Sequence, residues 1–291
     1  MQGVTFQRVS VGDVSLSVAT AGPKDGPPVV LLHGFPESWY CWRHQIPALV
    51  EQGYRAIVPD LRGYGGSDKP AGVKHYGIDS LADDVAGLLD AFDIESAPVV
   101  GHDWGGAITW HFGHRHPDRA TRLCVMNCPH PVAMQNVLWK SHAQRMKSWY
   151  IFVFQLPWLP ERMLSANDYS RAWAAMAKTT TQKNAFTEED RAHYLEAWRA
   201  PGAMSAMINY YRASLRVPPE PWKARHIPAP FLLIWGTADH ALGEELIEPS
   251  MAYAEDGRVF RIPGVSHWVN IDAPHRVNGA LLQWLDGQEP H

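Results

Sequence analysis

The sequence has few of the features that mark secreted, membrane-spanning or nucleic-acid-binding proteins. Three of its 291 residues are cysteines, Cys41, Cys124 and Cys128, and their spacing is not paired. This excludes a disulfide framework and favours the reducing cytoplasm. Its apolar runs, such as PVVLL and FLLIW, are about five residues long, against about 20 for a membrane-spanning helix. The first residues contain no basic stretch followed by an apolar one, so we expect no signal peptide.

Charge is also sparse. Charged residues make up 19% of the chain, the formal net charge is −4, and the pI is near 6.4. This balance offers no electrostatic attraction for nucleic acid or for an anionic membrane, so we expect neither as a partner. Hydrophobic residues make up 46%, and the thirteen Trp favour an apolar pocket for a small apolar substrate. The composition leaves the oligomeric state open, and a homodimer is one arrangement that it allows.

Short apolar runs alternate with helical patterns along most of the chain. The runs that we expect to be strands covered on both faces are PVVLLHG, YRAIVPD, APVVGHD, RLCVMN, FLLIWG and RVFRIPG. Between them, segments such as Ser80 to Phe92 place apolar residues on one helical face. Before them, two alternating stretches around a VGD turn predict an antiparallel edge hairpin. The order predicts an α/β fold with a mostly parallel sheet and helices on both faces.

One long segment interrupts this alternation. No strand-like run occurs from 131 to 222, where prolines separate helical patterns. The helices predicted there are Val132 to Phe154, Ala166 to Lys178, Glu188 to Arg199 and Ala203 to Leu215. We interpret residues 131–222 as an inserted all-helical cap between two parts of one core, residues 1–130 and 223–291. It would lie over the carboxyl ends of the strands, where open α/β sheets bind ligands.

The strongest local motif is GHDWGG, from Gly101 to Gly106, with Asp103 at its centre. It follows an apolar strand and precedes a helix predicted from Gly106 to His114. Small residues permit a sharp strand-to-helix turn that lifts the central side chain above the sheet. A carboxylate there is poorly suited to acyl transfer, but it can displace a leaving group at an sp³ carbon and form an ester. The alternative is a turn aspartate that caps the following helix.

Three motifs in a fixed order carry a resemblance to a known family. They are HGFPES from His33, DLRGYGGS from Asp60, and GHDWGG from Gly101. With them, the chain from about Phe6 to Leu285 resembles the α/β-hydrolase superfamily and, within it, the epoxide hydrolases. The first motif is similar to the HGxP loop, whose proline is typically cis. The third is the form of elbow expected of epoxide hydrolases and haloalkane dehalogenases. We interpret His33 as a structural residue.

The resemblance implies the rest of the catalytic machinery. Backbone N–H groups of Phe35 and Trp104 would form an oxyanion hole. The base would be His267, in a loop before the last helix, and the acid would be Asp239, just after the FLLIW strand. Some relatives carry the acid one strand earlier, where this chain has Asn127, which cannot stabilise an imidazolium by charge. The alternative for Asp239 is a helix-capping aspartate. We expect three nearby acids to face solvent or cap helices: Glu244, Glu245 and Asp272.

Tyrosines in the helical segment bear on the choice of reaction. Epoxide opening releases an alkoxide, which leaves poorly unless a general acid such as a phenol assists it. Tyr150 and Tyr211 stand in contexts that resemble the cap motifs supplying the tyrosine pair of epoxide hydrolases. Tyr210 is adjacent to Tyr211, and on a helix the two side chains point about 100° apart, so one of the two should face the site.

The expected reaction is hydrolysis of an epoxide to a vicinal diol. Asp103 would attack an epoxide carbon, and His267, oriented by Asp239, would then activate the water that cleaves the ester. Neither a metal nor a cofactor is expected, since the sequence has no metal-ligand motif. Two alternatives stay open. One is a haloalkane or haloacid dehalogenase with the same nucleophile, and the other is a non-catalytic receptor for a small ligand on the same fold.

Overall fold

A computed structural model describes residues 3–290. Within that range, eight strands form one sheet: β1 (Thr5–Val11), β2 (Val14–Ala21), β3 (Pro28–Leu32), β4 (Arg55–Pro59), β5 (Ala97–His102), β6 (Ala120–Met126), β7 (Phe231–Gly236) and β8 (Gly257–Ile262). Their order across the sheet is β1-β2-β4-β3-β5-β6-β7-β8. The pairs β1–β2 and β2–β4 are antiparallel, and the other neighbours are parallel. The predicted edge hairpin and the mostly parallel sheet are therefore confirmed.

The helices occupy the connections between these strands. They are α1 (Gln45–Glu51), α2 (Ile78–Ala91), α3 (Trp104–Arg115), α4 (Pro131–Lys140), α5 (His142–Lys147), α6 (Trp149–Val153), α7 (Leu159–Ala177), α8 (Glu188–Arg199), α9 (Ala203–Arg216), α10 (Ile247–Met251), α11 (Val269–Asp272) and α12 (Pro274–Leu285). Short 3₁₀ helices span Trp39–Trp42, Val73–Tyr76, Pro117–Arg119 and Glu244–Leu246. None of the helices in residues 3–290 combines the length and the apolar character needed to cross a bilayer.

The centre of the sheet is covered on both faces. Every residue of β7 is buried, as are the last four of β3 and of β4. Side chains alternate between the two faces of a strand, so burial of consecutive residues requires packing on each side. On the described chain α2 packs against α3, and α1 packs against α12. The near-continuous apolar runs in the sequence reflect this double coverage.

The segment between β6 and β7 contains α4 to α9 and, among its described residues, no strand. The single helix expected from Val132 to Phe154 is wrong, because the chain forms three helices there. Ser141 has an extended backbone (φ −101°, ψ 115°), and its hydroxyl accepts a hydrogen bond from the Gln144 N–H at the start of α5. Such caps let serine end one helix and begin another.

The second expected helix of this segment also differs. It begins at Leu159 rather than Ala166, and it is kinked because Ala166 to Tyr169 have non-helical backbone angles. Asn167, Asp168 and Tyr169 all have positive φ. The expected start at Ala166 falls at this break, and the helical turns that precede it, from Leu159, were not predicted.

Candidate active site

Asp103 lies at the turn between β5 and α3, with φ 50° and ψ −117°. Few non-glycine residues adopt a positive φ, and when they do it is often at functional sites. The turn is crowded, because a Cβ atom on Gly105 would lie 2.0 Å from the carbonyl oxygen of Leu32. The Asp103 side chain makes no capping hydrogen bond to α3, which argues against its reading as a helix cap. The turn instead presents the carboxylate toward the neighbouring loops.

The loop after β3 holds one oxygen of this carboxylate. The backbone N–H of Phe35 donates to Oδ1 of Asp103 at 2.7 Å. The loop can approach so closely because position 34 is glycine: a Cβ there would lie 2.4 Å from the Cβ of Asp103. The Phe35–Pro36 peptide bond is cis. Trp104, the first residue of α3, carries one of the N–H groups that have no acceptor within a helix.

His267 lies between the carboxylate of Asp103 and a second carboxylate. Its Nε2 lies 3.5 Å from Oδ2 of Asp103, and its Nδ1 lies 2.7 Å from Oδ2 of Asp239. Asp239 also accepts bonds from the N–H groups of Ala241 and Leu242. The carboxylates therefore lie at either end of one imidazole, the arrangement of a nucleophile, base and acid.

Asn127 has a role that the sequence did not reveal. Its Nδ2 donates to Oδ2 of Asp239 at 2.8 Å, and its Oδ1 accepts from the N–H of Gly236 at 2.8 Å. Asn127 stands where some relatives carry the acid. In this chain its side chain instead holds the carboxylate of Asp239, which follows the next strand. The sequence offered one indication of this role, which is that Asn127 directly follows a buried strand.

Burial and the charge of neighbouring groups have opposite effects on the pKa values of Asp103, Asp239 and His267. Burial alone raises the pKa of Asp103, but the hydrogen bond and the charge of His267 outweigh it and hold that pKa below its ordinary value. The same balance, with Asn127 contributing, lowers the pKa of Asp239. Burial lowers the pKa of His267, yet the two carboxylates raise it well above the ordinary value. Before substrate binds, the group therefore carries two carboxylates and an imidazolium.

Tyr150 and Tyr211 reach the same region from α6 and α9. Their rings meet edge to face with centroids 5.9 Å apart, and Tyr211 also contacts Phe35 and Trp104 at 5.2 and 5.1 Å. Burial, followed by the charge of Asp103, raises the pKa of each phenol, so both remain protonated donors at neutral pH. Tyr210 points elsewhere, since its hydroxyl donates to the carbonyl of Arg62 at 2.7 Å.

A buried pair behind His267 was also missed by the sequence reasoning. His102 Nδ1 lies 2.8 Å from Oε2 of Glu37, and His102 Nε2 lies 2.9 Å from the carbonyl oxygen of His267. Both side chains are fully buried. His33, interpreted as structural, accepts the N–H of Leu61 through Nε2. The buried pair of His102 and Glu37 therefore holds the backbone of His267 in place.

The loop that contains His267 and the short helix α11 that follows it are also bound to the helical segment between β6 and β7. The indole N–H of Trp268 donates to the hydroxyl of Thr179 at 2.7 Å. Asp272 accepts from the N–H and the hydroxyl of Thr181 at 2.9 and 3.0 Å. Asp272 is buried, so the expectation that it faces solvent is wrong, whereas Glu244 and Glu245 are exposed. We call these three bonds the threonine latch.

Other features of the described chain concern metals and thiols. Residues 3–290 contain no group of three or more His, Cys, Asp or Glu that could hold a metal ion. Cys41, Cys124 and Cys128 are all buried and free. Burial raises the pKa of all three thiols, which keeps them protonated and unreactive.

Comparisons with known proteins agree on one family. A family model described as the alpha/beta hydrolase fold matches residues 27–274. An AB hydrolase superfamily protein of Bacillus subtilis (strain 168) is 43% identical over 288 residues, which cover 99% of this chain and 100% of that protein. Epoxide hydrolase 4 of Homo sapiens is 34% identical over 285 residues, which cover 96% of this chain and 78% of that protein.

Solved structures resemble the chain over nearly its whole length. The crystal structure of an epoxide hydrolase of Bacillus megaterium in complex with an inhibitor matches with a TM-score of 0.89 and 28% identity. The match covers 96% of this chain and 100% of that one. A structure from a study of epoxide hydrolases in metagenomes from hot environments matches with a TM-score of 0.84 and 34% identity, over 97% and 98% of the two chains.

Proposed function

The chain belongs to the epoxide hydrolases of the α/β-hydrolase fold family, and from this premise we propose that it opens an epoxide through an ester on Asp103. The substrate is a small apolar epoxide, the second reactant is water, and the product is a vicinal diol. The observation that carries the proposal is the meeting of an ionised elbow carboxylate, an imidazole and two protonated phenols.

In the first step, Oδ2 of Asp103 attacks an epoxide carbon from the side opposite the C–O bond. Oδ1 is the less available oxygen, because the Phe35 N–H holds it. The lowered pKa of Asp103 keeps the nucleophile ionised. As the C–O bond breaks, the epoxide oxygen gains negative charge, and Tyr150 and Tyr211 donate hydrogen bonds to it. Positioned acids of this kind typically contribute about 10²–10⁴-fold in rate.

Formation of the ester prepares the second step. It removes the negative charge of Asp103, which is one of the groups that raise the pKa of His267. The imidazolium then gives its proton to the alkoxide that the two phenols hold, which completes the first hydroxyl group. The neutral imidazole can accept a proton from water, with Asp239 stabilising the imidazolium that forms.

The activated water adds to Cγ of Asp103 and places negative charge on Oδ1. The N–H groups of Phe35 and Trp104 stabilise that charge, and one such donor is worth about 3 kcal/mol. The Cγ–Oδ2 bond then breaks, His267 returns the proton to the departing oxygen, and the diol leaves. The carboxylic acid left on Asp103 passes its own proton to His267, which restores the ionised carboxylate and the imidazolium.

We further propose that residues 131–222 act as a cap that closes the site from above. The support is that both phenols come from helices of this segment. We also propose that the enzyme works in the cytoplasm, since its three cysteines are free and buried.

The covalent step is tested with His267→Gln. Without a base the variant should complete the alkylation and then stall, so intact-protein mass spectrometry should detect one retained substrate mass. His142→Gln, at an exposed histidine, is the matched control and should retain none. A confirmed substrate that leaves no added mass on His267→Gln would contradict an ester intermediate.

The same nucleophile serves dehalogenases, so the reaction itself needs a separate measurement. Matched epoxide and halide substrates should give diol from the epoxide and little halide ion from the other. The two phenols near Asp103 favour this outcome, because they suit a departing oxygen that needs hydrogen bonds. Faster halide release than diol formation would identify a dehalogenase, and tight binding without turnover would identify a receptor.

A further inference from the structure

The exposed apolar side chains of the molecule are concentrated in one region. Among the described residues, the large apolar side chains that are exposed include Phe6 on β1, at 55%. The others all lie in or beside the first helices of the cap: Trp139, Met146, Trp149, Phe152, Leu156, Trp158, Leu159 and Leu215. We call these eight residues the tryptophan patch. Large exposed apolar patches usually mark a site of interaction.

Local geometry joins the members of the patch. Trp149 and Phe152 are three residues apart on α6 and therefore share its outer face. The side chain of Arg216 donates to the carbonyl of Gln155 at 2.9 Å, which brings the end of α9, with Leu215, beside this stretch. Arg145 likewise donates to the carbonyl of Trp139 at 3.0 Å and draws the end of α4 against α5.

The surroundings of the patch are positively charged. The sequence contains no Asp or Glu from Arg119 to Pro160, although the whole chain has 30 of them. Exposed Lys140, Arg145 and Arg162 lie between or beside the apolar members. The next acid along the sequence, Glu161, is neutralised by Arg212 at 2.6 Å. The exposed Glu244 and Glu245 border the patch on one side, because their 3₁₀ helix contacts α4, whereas α4, α5 and α6 themselves carry only basic charges.

We propose that the tryptophan patch docks the enzyme on an anionic lipid surface as a peripheral contact. Trp, Phe and Leu on one face, bordered by Lys and Arg, are the composition of helices that lie in the membrane interface. Lys and Arg near a negatively charged leaflet add attraction that salt screens. This revises the expectation, drawn from the whole-chain charge, that membranes are not partners.

A second copy of the chain is a less suitable occupant. In a two-fold symmetric contact the same patch appears on both partners. The basic residues of one copy would then face the basic residues of the other, and like charges across a contact disfavour association. A lipid surface of opposite charge satisfies the apolar and the basic residues together.

Docking in this orientation would also serve the reaction, in a way that rests on the proposed function. Trp149 and Phe152 are exposed on α6, whereas Tyr150 and Phe154 of the same stretch turn toward Tyr211 and Phe35. The helix that would touch lipid is therefore the helix that presents a proposed catalytic phenol. An apolar epoxide dissolved in the bilayer would meet the enzyme close to its site.

The test is sedimentation with lipid vesicles, which requires no substrate. Wild-type protein should bind vesicles of phosphatidylglycerol mixed with phosphatidylcholine, and binding should weaken as salt is added. It should bind vesicles of phosphatidylcholine alone far less. The double variants Trp139→Gln/Phe152→Gln and Lys140→Glu/Arg162→Glu should each bind the anionic vesicles about tenfold more weakly.

Matched controls change the same residue types elsewhere. Phe6→Gln removes an exposed aromatic ring from β1, at the edge of the sheet, and Lys24→Glu/Arg225→Glu reverses two exposed charges outside residues 131–222. Both should bind as the wild type does, and urea titration should give every variant the wild-type midpoint.

Two results would overturn the proposal. One is that wild-type protein fails to bind anionic vesicles, or that both patch variants bind them unchanged. The other is that light scattering finds a dimer that the patch variants dissociate, with no vesicle binding, which would make the patch a contact between copies. Neither result bears on ester formation, which the His267→Gln experiment measures separately.

Discussion

Two adjacent tyrosines of α9 differ completely in their surroundings. Tyr211 packs against Phe35 and Trp104 beside the carboxylate of Asp103, whereas Tyr210 donates to the backbone of Arg62. Both are buried, and burial raises the pKa of each. The two positions therefore form a natural matched pair for testing the role of a phenol.

Tyr211→Phe should slow formation of the ester, and Tyr150→Phe should do the same, because each removes a donor to the departing oxygen. The expected loss is about 10²-fold for each and larger for the double variant. Tyr210→Phe should leave the rate nearly unchanged and lower the free energy of unfolding by about 1 kcal/mol, through loss of its bond to Arg62.

Stopped-flow measurement of the alkylation rate constant, together with urea unfolding, separates these effects. A Tyr210→Phe variant as slow as Tyr211→Phe would show that packing rather than proton donation governs the step.

Individual residues also show how far the sequence could predict the site. Three parts of the site are local motifs that neighbouring residues in the sequence predict: the elbow, the loop that contains Phe35 and the loop that contains His267. The bond from Asn127 to Asp239 joins residues 112 positions apart, and the bond between Glu37 and His102 spans 65 positions. No local pattern encodes such pairs, because they arise from the order of strands in the sheet.

At the level of elements, the threonine latch connects the end of α7 with the loop that carries His267. The Trp268 N–H meets the hydroxyl of Thr179, and the Asp272 carboxylate meets Thr181. Loosening these bonds should therefore be felt first at His267, which lies in the same loop as Trp268.

Trp268→Phe should slow hydrolysis of the ester about tenfold by loosening the position of His267, while alkylation proceeds nearly unchanged. Trp284→Phe is the matched control, since the indole nitrogen of this buried tryptophan makes no hydrogen bond within the described chain. Pre-steady-state kinetics distinguishes the two steps. An equal loss in both steps, or the same behaviour in Trp284→Phe, would mean that the latch does not act through His267.

Elements differed in how well the sequence predicted them. The central strands were predicted well because burial on both faces makes them continuous apolar runs. The expectation that the RVFRIPG strand is covered on both faces is wrong, because β8 lies at the edge of the sheet and has one buried residue of six. The break of the helix expected from Val132 to Phe154 into α4, α5 and α6 was missed, since two serines interrupt an otherwise helical pattern. The result matters for the site, because that break sets the direction of α6 and hence of Tyr150.

At the scale of the whole molecule, two histidines fasten both ends of the inserted segment to the core. Val132 N–H donates to His130 Nδ1, the two Nε2 atoms of His130 and His114 lie 3.0 Å apart, and His114 Nδ1 lies 2.8 Å from the carbonyl oxygen of Ala224. His130 precedes α4 and Ala224 lies between α9 and β7, while His114 belongs to α3, which begins beside Asp103. One proton on each ring satisfies every bond, so the chain of contacts requires both histidines to be neutral.

This contact makes the stability of the protein depend on pH. Burial lowers the pKa of His114 to about 4 and that of His130 to about 2, with the nearby His111 adding repulsion. In the unfolded chain both would take up a proton near pH 6.5. Between pH 6.5 and pH 4 the unfolded state therefore binds more protons, and the free energy of unfolding should fall as the pH falls.

His130→Asn keeps a side-chain acceptor for the Val132 N–H but cannot reach His114 in the same way. We expect it to unfold with a free energy about 1–3 kcal/mol lower at pH 7 and to show a shallower decline toward pH 4. Urea titrations across this range provide the measurement, with the exposed His142→Asn as control. A decline as steep as in wild type would assign the pH dependence to other groups.

The unequal surroundings of the two Asp103 oxygens have a further consequence under the proposed mechanism. Oδ1 stays with the Phe35 N–H, so each turnover exports Oδ2 within the diol and fills its place with an atom taken from solvent. Each diol therefore carries the oxygen atom that entered the Asp103 carboxylate during the preceding turnover. After transfer into heavy-oxygen water, the first diol from each enzyme molecule should be unlabelled, and the isotope should emerge from the second onward.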